Sequence, residues 1–142
     1  MQRRRSERGA ALVEAAVTIP ILLLIAVGIF EFGRAYQHWQ VLTNAAREGA
    51  RYSVTPGASS ASVEALVREY MKNGALPKHA VADVQVVRNV ALASGTASTI
   101  TIGYPFDFIV LQPVANLIRG SGPGISKSVT MSAAATMRNE SP

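Results

Sequence analysis

Arg8-Gly9-Ala10-Ala11-Leu12-Val13-Glu14, with the uncharged run at residues 15–30 that follows it, decides how this chain is built. That run reads Ala-Ala-Val-Thr-Ile-Pro-Ile-Leu-Leu-Leu-Ile-Ala-Val-Gly-Ile-Phe. As helix, its sixteen residues reach only ~24 Å, short of the ~30 Å hydrocarbon core of a bilayer. Counted from Ala10, the stretch has 21 residues and reaches ~31 Å, which suffices. A membrane span therefore places Glu14 about one turn inside the boundary, where a carboxylate costs free energy. Arginines ahead of the span set the expected orientation, with the N-terminus cytoplasmic and the rest of the chain outside. Pro20 would break a soluble helix, but membrane helices tolerate proline where neighbours satisfy the freed carbonyl.

Beyond the span the helical pattern continues. Phe32, Ala35, Tyr36, Trp39, Leu42, Ala46, Gly49 and Ala50 recur at steps of three and four. Arg34, Gln37, His38, Asn44, Arg47, Glu48 and Arg51 form the opposite, polar face. This predicts an amphipathic helix continuous with the span. Phe30, Phe32, Tyr36 and Trp39 also lie where an interfacial aromatic belt would sit. Pro56-Gly57 ends the pattern, which gives a helix over residues 10–55, near 68 Å long at ~1.5 Å per residue.

Residues 56–142 then read as a small αβ domain. Val63, Leu66, Val67, Tyr70 and Met71 form the apolar side of a short helix, with Gly74 at its C-terminal cap and Pro77 beyond. Three strands are expected. Residues 82–92 turn Val84, Val86, Arg88, Val90 and Leu92 to one side, and residues 98–104 turn Ile100, Ile102 and Tyr104 inward. Residues 125–138 face Ile125, Val129, Met131, Ala133, Ala135 and Met137 inward. An apolar excursion from Pro105-Phe106 to Ile118 and a loop at Gly120-Ser121-Gly122-Pro123-Gly124 separate the last two strands. That glycine run is too irregular for a phosphate cradle. The expected fold class is α+β: a long N-terminal transmembrane and amphipathic helix on a three-stranded antiparallel sheet, with one extra short helix. A sheet that small needs its apolar face covered, and the long helix is the available cover.

Composition narrows the function classes. The net charge of +5 suggests nucleic acid until it is located. Arg3, Arg4, Arg5 and Arg8 against Glu7 place +3 of it in the leader, and residues 10–142 carry only +2. No basic stripe with interleaved aromatics remains, so no nucleic-acid partner is expected. The chain has no cysteine, hence no disulfide and no thiolate metal site. His38 and His79 stand far apart without acidic neighbours, so no metal is expected, and His79 reads as a loop residue. Trp39 reads as a packing or interfacial aromatic. Asp83 and Asp107 read as solvated acids at strand or loop edges. Nothing resembles a nucleophile elbow or a paired-acid pocket, which points to a non-enzyme without cofactors.

One combination of residues goes further. Gly9, Glu14, Pro20, Phe30-Glu31-Phe32-Gly33-Arg34 and Leu42-Thr43-Asn44-Ala45-Ala46-Arg47-Glu48-Gly49-Ala50-Arg51-Tyr52 resemble the TadE-like family. Tyr104-Pro105-Phe106 and Ala133-Ala134-Ala135-Thr136-Met137-Arg138-Asn139-Glu140 are similar to the C-terminal part of those proteins. The resemblance implies a pilin-like fold and a minor pilin or pseudopilin of a tight-adherence, Flp-type pilus. It implies removal of residues 1–9 by a prepilin peptidase cutting between Gly9 and Ala10. It also implies an assembly contact in which Glu14 pairs with the new amine of a neighbouring subunit. The expected partners are that peptidase, other pilins or pseudopilins, the inner-membrane assembly machinery and the lipid bilayer. The expected location is the inner membrane, single-pass over about residues 10–31, with a periplasmic domain and possible incorporation in a pilus. Ala15 stands where Flp major pilins carry Tyr, and Ala10 where many type IV pilins begin with Phe or Met, so a minor subunit fits better than a major one.

Other readings stay open at the residue level. Glu14 also suits a helix N-terminus through the dipole, and Gly9 suits a flexible residue before a helix. Arg47, Glu48 and Arg51 read either as a subunit docking surface or as a solvated face with short-range pairs. Glu31 and Arg34 are spaced to pair just past the membrane. The alternative function is a secreted or signal-anchored αβ binding domain that no prepilin peptidase processes, since Ala26-Val27-Gly28 roughly satisfies a signal-peptide site.

Overall fold

The computed structural model describes residues 3–92, 95–110 and 128–139. Within them the order is α1 (Arg3–Ser53), α2 (Ser60–Asn73), a 3-10 turn (His79–Val81), β1 (Asp83–Leu92), β2 (Gly95–Asp107) and β3 (Ser128–Arg138). The α+β class is as expected. The glycine-rich run at 120–124 and residues 125–127 of the expected third strand lie outside the described residues. The chain divides into two compact units: Met1–Arg34 with Phe108–Ile125, and Ala35–Asp107 with Ser126–Pro142.

In the first unit, α1 begins in the basic leader rather than at Ala10, and Gly9 lies inside it. One glycine costs a helix ~1 kcal/mol, too little to stop a run of good helix formers. Along this part the large apolar side chains point to solvent all round the axis. Leu12, Val13, Val17, Ile19, Ile21, Leu22, Leu23, Leu24, Ile25, Ile29 and Phe30 are each 45–71 % exposed. A helix apolar on every side is not a surface helix of a soluble protein. By length and composition α1 is able to cross a membrane.

The second unit is built around β2. The sheet order is β1-β2-β3, all antiparallel. From Ser98 onward, alternation along β2 buries Ser98, Ile100, Ile102, Tyr104 and Phe106 on one face. Against that face lie Leu42, Ala45, Ala46, Gly49 and Ala50 of α1 and Val63, Val67 and Met71 of α2, all buried. Each large apolar side chain so buried contributes about 1.5–3 kcal/mol. Two glycines permit the close approach. A Cβ on Gly49 would stand 2.5 Å from Val67 Cγ2 and 3.6 Å from Ile100, and one on Gly74 would run into Val41 Cγ1.

The buried stripe of α1 is rotated from the expected one. Glu31, His38, Leu42, Ala45, Ala46, Gly49, Ala50 and Ser53 are buried, whereas Phe32, Tyr36 and Trp39 are 67 %, 61 % and 43 % exposed. His38, expected on the polar face, sits edge-on to Tyr104 and Phe106, with ring centroids 5.6 and 5.3 Å away. Small residues decide the outcome. The Ala45-Ala46 and Gly49-Ala50 pairs let the sheet come close, and the aromatics cannot share that face.

Three further differences concern local geometry. First, Pro105 and Phe106 continue β2 through Asp107 instead of opening an excursion. Pairing with β1 ends at Asp83↔Gly103, so Pro105 faces β3 alone and its missing N–H costs that side of the ladder nothing. Second, β1 has a bulge between Val87 and Val90, with Asn89 at φ 57°. The extra residue reverses the alternation, so Val90 pairs with Ala97 on the face opposite Val84 and Val86. Arg88, at the bulge, donates to the carbonyls of Ser53 and Ala58, where α1 ends and the next turn closes. Asn139 ties the bulge to the sheet through Asn89 Oδ1 (2.8 Å) and Thr96 Oγ1 (3.0 Å).

Third, α2 starts on a Ser59–Ser62 capping box and ends at Gly74, yet Gly74 has φ −76° and Ala75 takes the left-handed turn at φ 58°. The Leu76 N–H bonds Met71 O and the Ala75 N–H bonds Lys72 O, a Schellman motif with alanine in the position that favours glycine. Left-handed alanine costs about 1–2 kcal/mol. Part of that is returned because glycine loosens the unfolded chain. Ala75→Gly is therefore expected to stabilise the domain by about 0.5–1 kcal/mol. The check is a raised thermal midpoint of the full chain in detergent.

Candidate functional site

The residues singled out at the start of the chain share one uninterrupted helix. Gly9, Ala10 and Glu14 are all exposed, and nothing lies within 4 Å of a Cβ built on Gly9. Ala10 and Glu14 are four apart, so they occupy one face about one turn apart. Among the described residues Glu14 has no hydrogen-bond or ion-pair partner, and its carboxylate is free to meet a group from another molecule. Pro20 removes the helix bond to the Ala16 carbonyl without interrupting α1.

At the other end of the apolar stretch stands an acid that local spacing only half describes. Glu31 is fully buried. Its Oε2 accepts from Arg34 Nη2 at 2.8 Å, the pair expected from the spacing. Its Oε1 accepts from the backbone N–H groups of Ile109 (2.7 Å) and Val110 (2.6 Å). Those donors are 78 and 79 positions away, and no local signal reveals them.

The third group divides. Arg51 binds Glu48 in a two-point ion pair, Nε to Oε2 at 3.0 Å and Nη2 to Oε1 at 2.6 Å, while Arg47 is exposed and separate from it. The hydrogen bond from Arg51 holds the Glu48 carboxyl below the usual carboxylate range, and the same contact raises Arg51. A depressed folded value means the pair's stabilisation is present above the unfolded carboxylate pKa and fades as pH falls through the folded one. The pair is open to solvent, so the effect is small. Glu48→Gln is expected to lower the unfolding midpoint slightly at neutral pH. In acid below the folded Glu48 value it should match the original chain.

The remaining candidates are structural. His79 sits in the 3-10 turn with Nδ1 2.9 Å from Leu76 O. Trp39 meets Tyr36 at 6.1 Å on the exposed side of α1. Asp83 accepts from Gln85 at 2.9 Å, Asp107 pairs with Lys78, and the Tyr104 hydroxyl accepts from the Lys78 N–H at 3.3 Å. No cluster of three or more metal-ligating side chains occurs among the described residues.

The chain thus has a membrane-compatible helical stretch with Glu14 as the acid of its first apolar turns, and a small αβ unit. Comparison with known proteins bears on the helix. No curated protein and no solved structure matches the chain. A family model described as TadE-like protein matches residues 9–51, from the glycine of the junction to the arginine of the ion pair. Over residues 9–51 the chain is thus similar to the TadE-like family that the sequence resembles.

Proposed function

We propose that this chain is a minor pilin or pseudopilin that enters the inner membrane by α1, loses residues 1–9 after Gly9, and takes part in assembling a tight-adherence pilus. The similarity of residues 9–51 to a TadE-like family model supports a pilus-associated, structural role. The observation that carries the finer reading is the solvent-facing Glu14 at the head of a helix apolar on every side. Among the described residues of one subunit that charge has no partner. Cleavage after Gly9 removes the leader arginines and creates an amine on Ala10. A neighbour's amine then matches the Glu14 of the next subunit in charge and depth. Orientation follows from the basic leader, with the αβ domain on the periplasmic side. Prepilin peptidase, sister pilins and the inner-membrane machinery are the corresponding partners, and the bilayer is the solvent of the span. Arg47, with the Glu48–Arg51 pair beside it, offers the charged face for subunit docking.

The mass of the mature N-terminus from isolated membranes tests this reading. A chain starting at Ala10 is the expected result. A start near Ile29 would make it a secreted domain, and an intact Met1 would make it a signal-anchored one.

A further inference from the structure

The clamp at Glu31 has a second side, which is what it does for the segment it holds. Ala10 and Glu31 are 21 residues apart in one helix, or ~32 Å along the axis, so Glu31 falls at the outer bilayer boundary when Ala10 sits at the inner one. At that depth two kinds of group are costly: a bare carboxylate and an unbonded backbone N–H. Glu31 and the Ile109-Val110 backbone resolve both by bonding each other, and Arg34 balances the charge. None of these bonds needs water. The segment so fixed is apolar: Phe108, Ile109 and Val110, with the Ile109 side chain 60 % exposed. On the helix, Phe30 (62 %) and Phe32 (67 %) flank Glu31 and are likewise exposed. Val27, Gly28, Arg34 and Ala35, on the Glu31 face, are partly covered.

We infer that Phe108–Val110 is a second membrane contact, an apolar hook seated at the boundary between acyl chains and headgroups beside the exit of α1. Its occupant is lipid, because Ile109, Phe30 and Phe32 are exposed apolar side chains at the end of a span whose own apolar side chains, Ile25 and Ile29 among them, are exposed as well. Glu31 is the positioning residue: it completes the hook's hydrogen bonding where water is scarce. The inference rests on α1 spanning the membrane, and its test separates the two.

The chain lacks cysteine, so single cysteines at Ile109, at Leu22 within the span, and at Ser132 on an exposed strand position carry an environment-sensitive fluorophore cleanly. The full chain is reconstituted in phosphatidylcholine–phosphatidylglycerol vesicles, with and without acyl chains brominated near the headgroup or near the tail. The Leu22 probe is expected to be quenched most by deep bromines. The Ile109 probe is expected to shift to the blue and be quenched several-fold more than the Ser132 probe, most strongly by shallow bromines. Adding Glu31→Ala should bring the Ile109 probe to the Ser132 level while Leu22 keeps its quenching. An Ile109 probe that matches Ser132 while Leu22 is quenched overturns the hook and leaves the span standing. A blue-shifted Ile109 probe that bromines do not quench assigns the site to protein and overturns the lipid contact. An unquenched Leu22 probe removes the span and the hook together.

Discussion

Glu14→Ala is expected to leave the protein in the membrane and to remove it from assembled pili. Removing the acid makes insertion easier, since a carboxylate costs about 2.5–3.5 kcal/mol at the bilayer centre and less near its edge. The loss falls on association. Without Glu14, a neighbour's Ala10 amine enters the helix bundle unpaired, and breaking a buried pair from one side costs about 3–5 kcal/mol. At about 1.4 kcal/mol per tenfold, recovery in pilus fractions should fall by roughly two to three and a half orders of magnitude. Membrane-fraction recovery should not fall. Glu14→Gln should show a similar loss, because it keeps the shape and discards the charge. Undiminished recovery of Glu14→Ala in sheared, purified pili would remove Glu14 from the assembly contact and return it to the dipole role.

Gly49→Leu is expected to prevent the αβ domain from folding. The glycine lies where α1, α2 and β2 meet. Even a Cβ there would intrude on Val67 Cγ2 at 2.5 Å and touch Ile100 at 3.6 Å. Alanine can be absorbed in part: overpacking costs about 1–3 kcal/mol, against about 1 kcal/mol gained in helix propensity. Leucine adds three further carbons beyond a Cβ that is already too close to Val67. A core of this size supplies only about 3–5 kcal/mol in total. Limited proteolysis of the full chain in detergent should show fragments ending within residues 54–139 for Gly49→Leu. A protease-resistant domain in that variant would contradict the packing. Gly49→Ala combined with Val67→Ala should cost less than the sum of the two single changes, because the new methyl enters space that the valine vacates.

The parts of this architecture that were readable in advance are those whose cause is local. The helix that holds the apolar run at 15–30 is long and apolar enough to cross a membrane by length and composition alone, and β2 announces itself because Ile100, Ile102 and Tyr104 alternate with threonine and glycine. The capping signal at Gly74 marked the end of α2, though not its role. The glycine serves contact with Val41, and Ala75 takes the strained turn. What stayed hidden depends on partners far along the chain. His38 looked polar by type, and only Tyr104 and Phe106 make it a core residue. Arg88 looked like a break in an apolar alternation until the end of α1 supplied carbonyls for it. Glu31 carried a visible partner in Arg34 and two invisible ones. At the candidate site, the four-residue step from Ala10 to Glu14 was legible as spacing on one helix face. In the proposed contact the amine that completes it belongs to another molecule, so no single chain would display it.

The sheet also fixes an order of events in time. Its central strand is complete only when β3 arrives, and the register joins Ala97 to Arg138. Helix α1, by contrast, needs only bonds four residues apart. Local bonds form within microseconds, whereas a chain is synthesised at about 5–20 residues per second and long-range strand pairs wait for both ends. The helix can therefore engage the membrane seconds before its passenger domain has the residues to fold.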